Sequence, residues 1–266
     1  MTRIRKRYAD GRWGQVHLRI VGEEQTGRVP LLMLHPTPKS GWIYEPLMIP
    51  LGHDRIVIAP DTPGYGASDP PPSPASIEAL ADEMLDVAQG VVGDGPIDVM
   101  GYHTGSVIAV AMALAAPMRV RRLVLTSLPT YSEDERAAKR AGLAQWRRPA
   151  ADGSHLVAMW TLMQGLADPR AGTDWMHASF TENLRCGDRA PWGYEAVYRY
   201  DLESALGWLE HPALVLAPED DLDRQTLRGI ALMKDARIER LAGVGHGLFD
   251  LETDRIVASI RDFLDN

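Results

Sequence analysis

The residues best placed to do chemistry lie in the segment Asp98-Val99-Met100-Gly101-Tyr102-His103-Thr104-Gly105-Ser106-Val107. An apolar run of strand length enters a glycine-flanked turn, and an almost wholly apolar run, Val107 to Ala115, leaves it as a buried helix. This is the context of G-x-S-x-G, in which a sharp strand-to-helix turn holds the middle side chain in a strained conformation at the end of a sheet strand. Gly101 and Gly105 occupy the glycine positions, and His103 stands in the middle. An imidazole presented there has three roles open to it. It can act as a nucleophile, it can exchange protons with a second imidazole, or it can line a pocket that binds without catalysing.

The second imidazole is His246, in the loop Gly243-Val244-Gly245-His246-Gly247 before the last helix. A carboxylate partner is offered by the run Glu219, Asp220, Asp221 and Asp223, which follows a strand and taken alone reads equally as a solvated turn. Other nucleophiles are poorly placed. Ser106 falls inside the helix and faces packing, and the side chain of Thr104 points away. Ser40 stands apart, and Cys186, the one cysteine, reads as a small apolar residue. There is no HExxH, CxxC, P-loop or GxGxxG, so no metal and no organic cofactor is expected.

Positioning these groups requires a sheet. Short apolar runs recur at Val29 to Leu34, Arg55 to Ala59, Ile97 to Met100, Leu123 to Leu125 and Ala213 to Ala217, as strands buried on both faces of a parallel sheet would. Arg237 to Leu241 alternates more. Arg3 to Tyr8 and Gln15 to Val21, with Asp10-Gly11 between them, predict a hairpin. Helical spacing appears in Ile77 to Val92 and in Thr253 to Leu264, where Thr253 is the expected N-cap. Strands alternating with helices predict an α/β domain with helices on both faces.

The alternation stops between Leu128 and Leu209. This stretch carries Trp146, Trp160, Trp175, Trp192, Tyr194, Tyr198 and Tyr200, and is expected to form a helical insertion, residues 129–209, over one end of a core made of 1–128 and 210–266. Trp42, Tyr44, Trp160, Trp175 and Trp192, with Met112, Met159, Met163 and Met176, are candidates for an apolar pocket and equally for ordinary core.

With 266 residues, a net charge of −8 and 45% hydrophobic residues, the chain suits one large domain. The negative charge disfavours nucleic-acid and anionic-membrane partners, leaving a small-molecule substrate. The absence of an apolar leader and of a run approaching ~20 apolar residues predicts a cytoplasmic protein. A homodimer is expected on general frequency alone.

Several segments, in family order, resemble the α/β-hydrolase fold family, with the epoxide hydrolase and haloalkane dehalogenase branch nearest in texture. Leu34-His35-Pro36-Thr37-Pro38 is similar to the His-Gly-x-Pro loop, with Pro36 in place of glycine. Asp61-Thr62-Pro63-Gly64-Tyr65-Gly66-Ala67-Ser68 resembles D-x-P-G-x-G-x-S, Pro212 to Asp221 resembles the strand and turn of the catalytic acid, and Gly245-His246-Gly247 the histidine loop. The resemblance implies a mostly parallel sheet near eight strands, with residues 129–209 as a lid. His103, Asp221 and His246 become the catalytic residues, and Asp221 fixes the tautomer of His246. His35 is a structural residue beside the oxyanion loop. The backbone N–H groups of Thr37 and Thr104 become the oxyanion donors, each on the order of 3 kcal/mol. The implied activity is cofactor-independent hydrolysis of a small, mostly apolar ester or carbonyl compound. The alternatives are a lyase or cofactor-free oxygenase using acid–base chemistry, and an inactive ligand-binding homologue.

Overall fold

A computed structural model describes residues 3–22 and 27–266. Eight strands form one sheet: β1 (Arg5–Gly11), β2 (Gly14–Val21), β3 (Leu31–Leu34), β4 (Val57–Pro60), β5 (Ile97–Tyr102), β6 (Val120–Thr126), β7 (Ala213–Pro218) and β8 (Ala236–Leu241). Their order is β1-β2-β4-β3-β5-β6-β7-β8. The β1–β2 and β2–β4 pairs are antiparallel, and every pair from β4 to β8 is parallel. This is the mostly parallel α/β sheet that the alternation of elements predicts, with the eight strands that the resemblance to the α/β-hydrolase fold implies.

The helices are α1 (Glu45–Leu51), α2 (Ile77–Val92), α3 (Thr104–Ala115), α4 (Glu133–Gly142), α5 (Ser154–Leu166), α6 (Gly172–Arg185), α7 (Trp192–Arg199), α8 (Leu202–Trp208), α9 (Asp223–Ile230), α10 (Leu248–Leu251) and α11 (Thr253–Asp265). The apolar side chains of the central strands divide by the two-residue alternation of a pleat. Leu32, Val99, Leu123 and Val215 pack in one core with α2, α3 and α8, and Met33, Met100, Val124 and Leu216 pack in the other with α1 and α11. That double burial is why these strands read as unbroken apolar runs. β8, at the edge, keeps Arg237, Glu239 and Arg240 in its sequence, and charge on an edge strand discourages further pairing.

Two local expectations shift. The hairpin turn is Arg12-Trp13, because Asp10 and Gly11 are already paired with Gln15 and Gly14. Thr253 is the first residue of α11 rather than its N-cap; its hydroxyl donates to the carbonyl of Phe249, 2.6 Å away, inside the preceding turn.

Between β6 and β7 the chain forms only helices, α4 to α8. They are not uniform. α4 buries no residue and α5 only Met163, whereas Ala196, Val197, Leu202, Ala205 and Leu206 of α7 and α8 join the core around α3. Among the described residues no helix is long and apolar enough to cross a membrane.

Candidate active site

β5 ends at Tyr102 and α3 begins at Thr104, so the turn between them is the single residue His103. Its backbone angles, φ 48° and ψ −114°, lie where non-glycine residues are rare. The local sequence explains how this persists. A Cβ on Gly105 would lie 1.8 Å from the Leu34 carbonyl oxygen, and one on Gly101 would lie 2.3 Å from that of Gly105. Only glycines let strand and helix come this close. The His103 N–H donates to Thr126 at 3.0 Å, and its carbonyl accepts from Ser106 at 2.9 Å, so the strained residue is held on both sides.

His103 and His246 each face a carboxylate. Nε2 of His103 is 3.2 Å from Oδ2 of Asp220, and Nε2 of His246 is 2.8 Å from Oδ1 of Asp221. A carboxylate only accepts, so each neutral imidazole carries its proton on Nε2. Nδ1 of His246 then accepts from the Tyr102 hydroxyl, 3.2 Å away, while Nδ1 of His103 has no hydrogen-bond partner among the described residues. The two rings stand nearly perpendicular, their centroids 5.4 Å apart. One ligand atom from each of His103, Asp220, Asp221 and His246 lies within 4.8 Å of the others.

Asp220 is the residue the sequence argument passes over. The run of acids offered it, but the motif spacing favours its neighbour. The structure buries the Asp220 side chain completely under the His103 turn and leaves Asp221 partly open to solvent. Ser127, at the end of β6 with φ 51°, donates to Oδ2 of Asp220 at 2.5 Å, and the Leu222 N–H donates to Oδ1 at 2.9 Å. Burial works to raise both carboxyls, yet hydrogen bonds and the charge of the histidines outweigh it. Asp220 is held below the ordinary carboxylate range, and Asp221 is held at about 2. Burial raises the Tyr102 phenol, so it stays a neutral donor.

The cluster forms the floor of a cavity of about 190 Å³, which Thr37, Thr104, Asp221 and His246 line together with His103. The backbone N–H groups of Thr37 and Thr104 have no hydrogen-bond partner among the described residues. The roof comes from the β6–β7 helices: Met163, Trp175, Tyr194 and Tyr198. Tyr194 donates to the Thr37 carbonyl at 3.0 Å, and a Cβ on Gly193 would strike the Thr37 hydroxyl at 2.1 Å, so α7 is pressed onto this loop. Trp42 instead packs on the core, Trp160 stacks edge-on against Phe180, and Trp192 lines a separate cleft. Lys39, which the motif reading overlooked, lines the cavity and donates to the carbonyl and hydroxyl of Ser179; burial lowers its ammonium to about 7, against the pull of Glu182.

The remaining nucleophile candidates are occupied elsewhere. The Ser106 hydroxyl donates to Thr126 at 2.9 Å and Ser40 to Glu182. Cys186 is buried, which raises its thiol to about 11. His35 accepts from the Thr62 N–H at 2.7 Å and donates to its neighbour Pro36 at 2.9 Å, a structural arrangement.

A family model described as alpha/beta hydrolase fold matches residues 29–158, from β3 through the His103 turn into α5. The match covers just under half of the chain, and together with the sheet order it establishes the α/β-hydrolase fold. A hydrolase from Pseudomonas aeruginosa superposes on this hydrolase-fold chain with a TM-score of 0.81, at 19% identity, over 98% of both chains. The pimeloyl-[acyl-carrier protein] methyl ester esterase of Photobacterium profundum is 26% identical over 88% of this chain and 94% of its own length. The polyketide synthase ThaQ of Burkholderia thailandensis is 28% identical over 90% of the chain, which corresponds to only 12% of that much longer protein.

Proposed function

We propose that the protein hydrolyses a small, mostly apolar ester or carbonyl compound, with water rather than a side chain as the attacking group. The observation that carries this is His103 itself. It takes the position from which the fold aims a reactive side chain, yet its Nε2 is committed to Asp220, as that of His246 is to Asp221. Two imidazoles, groups able to accept and donate protons, face across one cavity the backbone N–H groups of Thr37 and Thr104, which are unpaired among the described residues. Water activated at the cluster attacks the carbonyl carbon, and the resulting oxyanion is held by Thr37 and Thr104. The leaving group takes the proton that the water gives up.

The aromatic and methionine roof supports an apolar substrate, and residues 129–209 act as the lid over it. The D-x-P-G-x-G-x-S segment supports a place near the epoxide-hydrolase-like branch. The esterase relative supports the ester class.

The test is turnover of a panel of short-chain activated esters. The natural protein should be active with an imidazole-like limb in its pH profile, and His103→Ala should lose on the order of 100-fold in kcat/KM. His103→Ser should not accumulate an acyl-enzyme in the natural protein's stead, because the His246 Nε2 faces Asp221 and not position 103. An inert natural protein whose His103→Ser variant gains esterase activity would move the function to proton-transfer chemistry or to binding.

A further inference from the structure

We infer that His103, Asp220, Asp221 and His246 form a site for one divalent first-row transition cation of the zinc class, a reading that rests on the hydrolase proposal and specifies how the water is activated. Four ligand atoms, one from each side chain, already lie within 4.8 Å of one another. Bonds of about 2.0–2.2 Å to a tetrahedral ion place neighbouring ligand atoms about 3.4 Å apart. The His103–Asp220 and His246–Asp221 separations, 3.2 and 2.8 Å, are close to that.

Charge is the independent argument. Elsewhere the fold gives its buried aspartates an arginine: Asp61 has Arg19 at 2.9 Å, Asp98 has Arg121 at 2.6 Å, and Asp168 has Arg170 at 2.9 Å. Among the described residues no arginine or lysine is paired with Asp220 or Asp221, although the Asp220 side chain is wholly buried. A buried carboxylate beside a second, half-exposed one, with only titratable histidines as partners, is costly unless a permanent cation is supplied. Lys39 is committed to Ser179, and Lys139 sits over the Tyr131 ring.

Outer contacts of the kind that orient metal ligands are in place: Ser127 and the Leu222 N–H on Asp220, and the Tyr102 oxygen beside Nδ1 of His246, which would carry the ring proton once Nε2 binds the ion. Two imidazole nitrogens and two carboxylate oxygens select borderline ions over calcium or magnesium. One side of the cluster opens to the cavity, where a water would enter as a fifth ligand beside the four side chains, an expansion that zinc-class ions allow. A cation there lowers the pKa of a bound water. The hydroxide formed adds to the acyl carbon, the acyl C–O bond breaks, and the departing alkoxide takes the proton released by the water, giving acid and alcohol. No local motif announces such a site, because its ligands come from the β5–α3 turn, the β7 turn and the His246 loop.

The experiment uses tag-free full-length protein, stripped with chelator and titrated separately with Co²⁺ and Zn²⁺. One ion per chain after gel filtration, a visible Co²⁺ spectrum of a nitrogen–oxygen site, and a Zn²⁺-dependent rise in Tm are expected. Asp220→Asn should weaken binding by on the order of 100-fold, and His103→Ala is the second variant should Asp220→Asn fail to fold. Absence of stoichiometric binding at micromolar ion, or binding unchanged in both variants, overturns the site. Ester turnover by the stripped protein would do the same while leaving the hydrolase reading intact. Binding without turnover of any ester would sustain the site and remove hydrolysis.

Discussion

Two histidine–aspartate clusters sit near the carboxyl ends of the strands, and they are built on opposite principles. Around Asp61, Nδ1 of His17, Nη1 of Arg19, and the backbone N–H groups of Gly41 and Ala67 each approach a carboxylate oxygen at 2.9 Å. Glu45, about a third exposed, takes the other side of Arg19, while His17, Arg19 and Asp61 are buried. Around Asp220 and Asp221 the same residue types meet an open cavity, with histidines as their only charged partners among the described residues. The first cluster contains its own cation and occupies both oxygens of Asp61, tying Gly41 and Ala67 to β2. The second leaves charge and donors unmatched, which costs stability and leaves work for a ligand. The difference separates a scaffold from a site more clearly than residue type does.

Substitutions at matched positions should break the symmetry between the two. Asp61→Asn should cost about 3 kcal/mol of unfolding free energy in urea, because it leaves Arg19 buried with Glu45 alone. A loss under about 1 kcal/mol would mean the scaffold cluster is not the stabilising one. Asp220→Asn should reverse the pattern: turnover falls on the order of 100-fold, while stability without added cation changes by no more than about 1 kcal/mol. Equal destabilisation by both substitutions would erase the distinction.

Acid titration sharpens it further. The Asp61 carboxyl is held at about 2: burial would raise it, but the His17 bond and the Arg19 charge prevail. With the folded pKa below the unfolded one, its contribution is present above about 4 and is lost as pH falls toward 2. That contribution is on the order of 2 kcal/mol. Stability curves of the natural protein and Asp61→Asn should therefore converge across that window; parallel curves would deny the linkage.

The smallest effect concerns Asp168, which accepts from the Gly245 N–H at 3.1 Å while its own N–H donates to the His246 carbonyl at 2.9 Å. Asp168→Ala should cost about 1 kcal/mol and lower kcat more than it changes KM, since it positions His246 without touching substrate. An unchanged kcat would show that the His246 loop holds itself.

Much of this was legible in the chain. Ile77 to Val92 forms the helix its spacing predicts, and the five apolar runs are central strands, because burial on both faces leaves no polar positions to blur the signal. His103, Asp221, His246, Thr37 and Thr104 meet at one cavity, as the motif order implies. Asp220, Tyr102 and Ser127 were not legible as site residues. Their part depends on which way adjacent side chains turn at strand ends, and neighbours such as Asp220 and Asp221 are equivalent in composition.

The sequence by itself determined the sheet, the glycine-flanked turn and the presence of His103 within it, because periodicity and the steric demands of glycine are local properties of the chain. The tertiary structure alone decided that His103 is paired with a second aspartate, that Tyr102 engages the far nitrogen of His246, and that no arginine among the described residues pairs with either carboxylate. Those relations join residues up to 144 positions apart, such as Tyr102 and His246. The physical reason is that charge balance depends on distances across the folded chain, which no local pattern encodes.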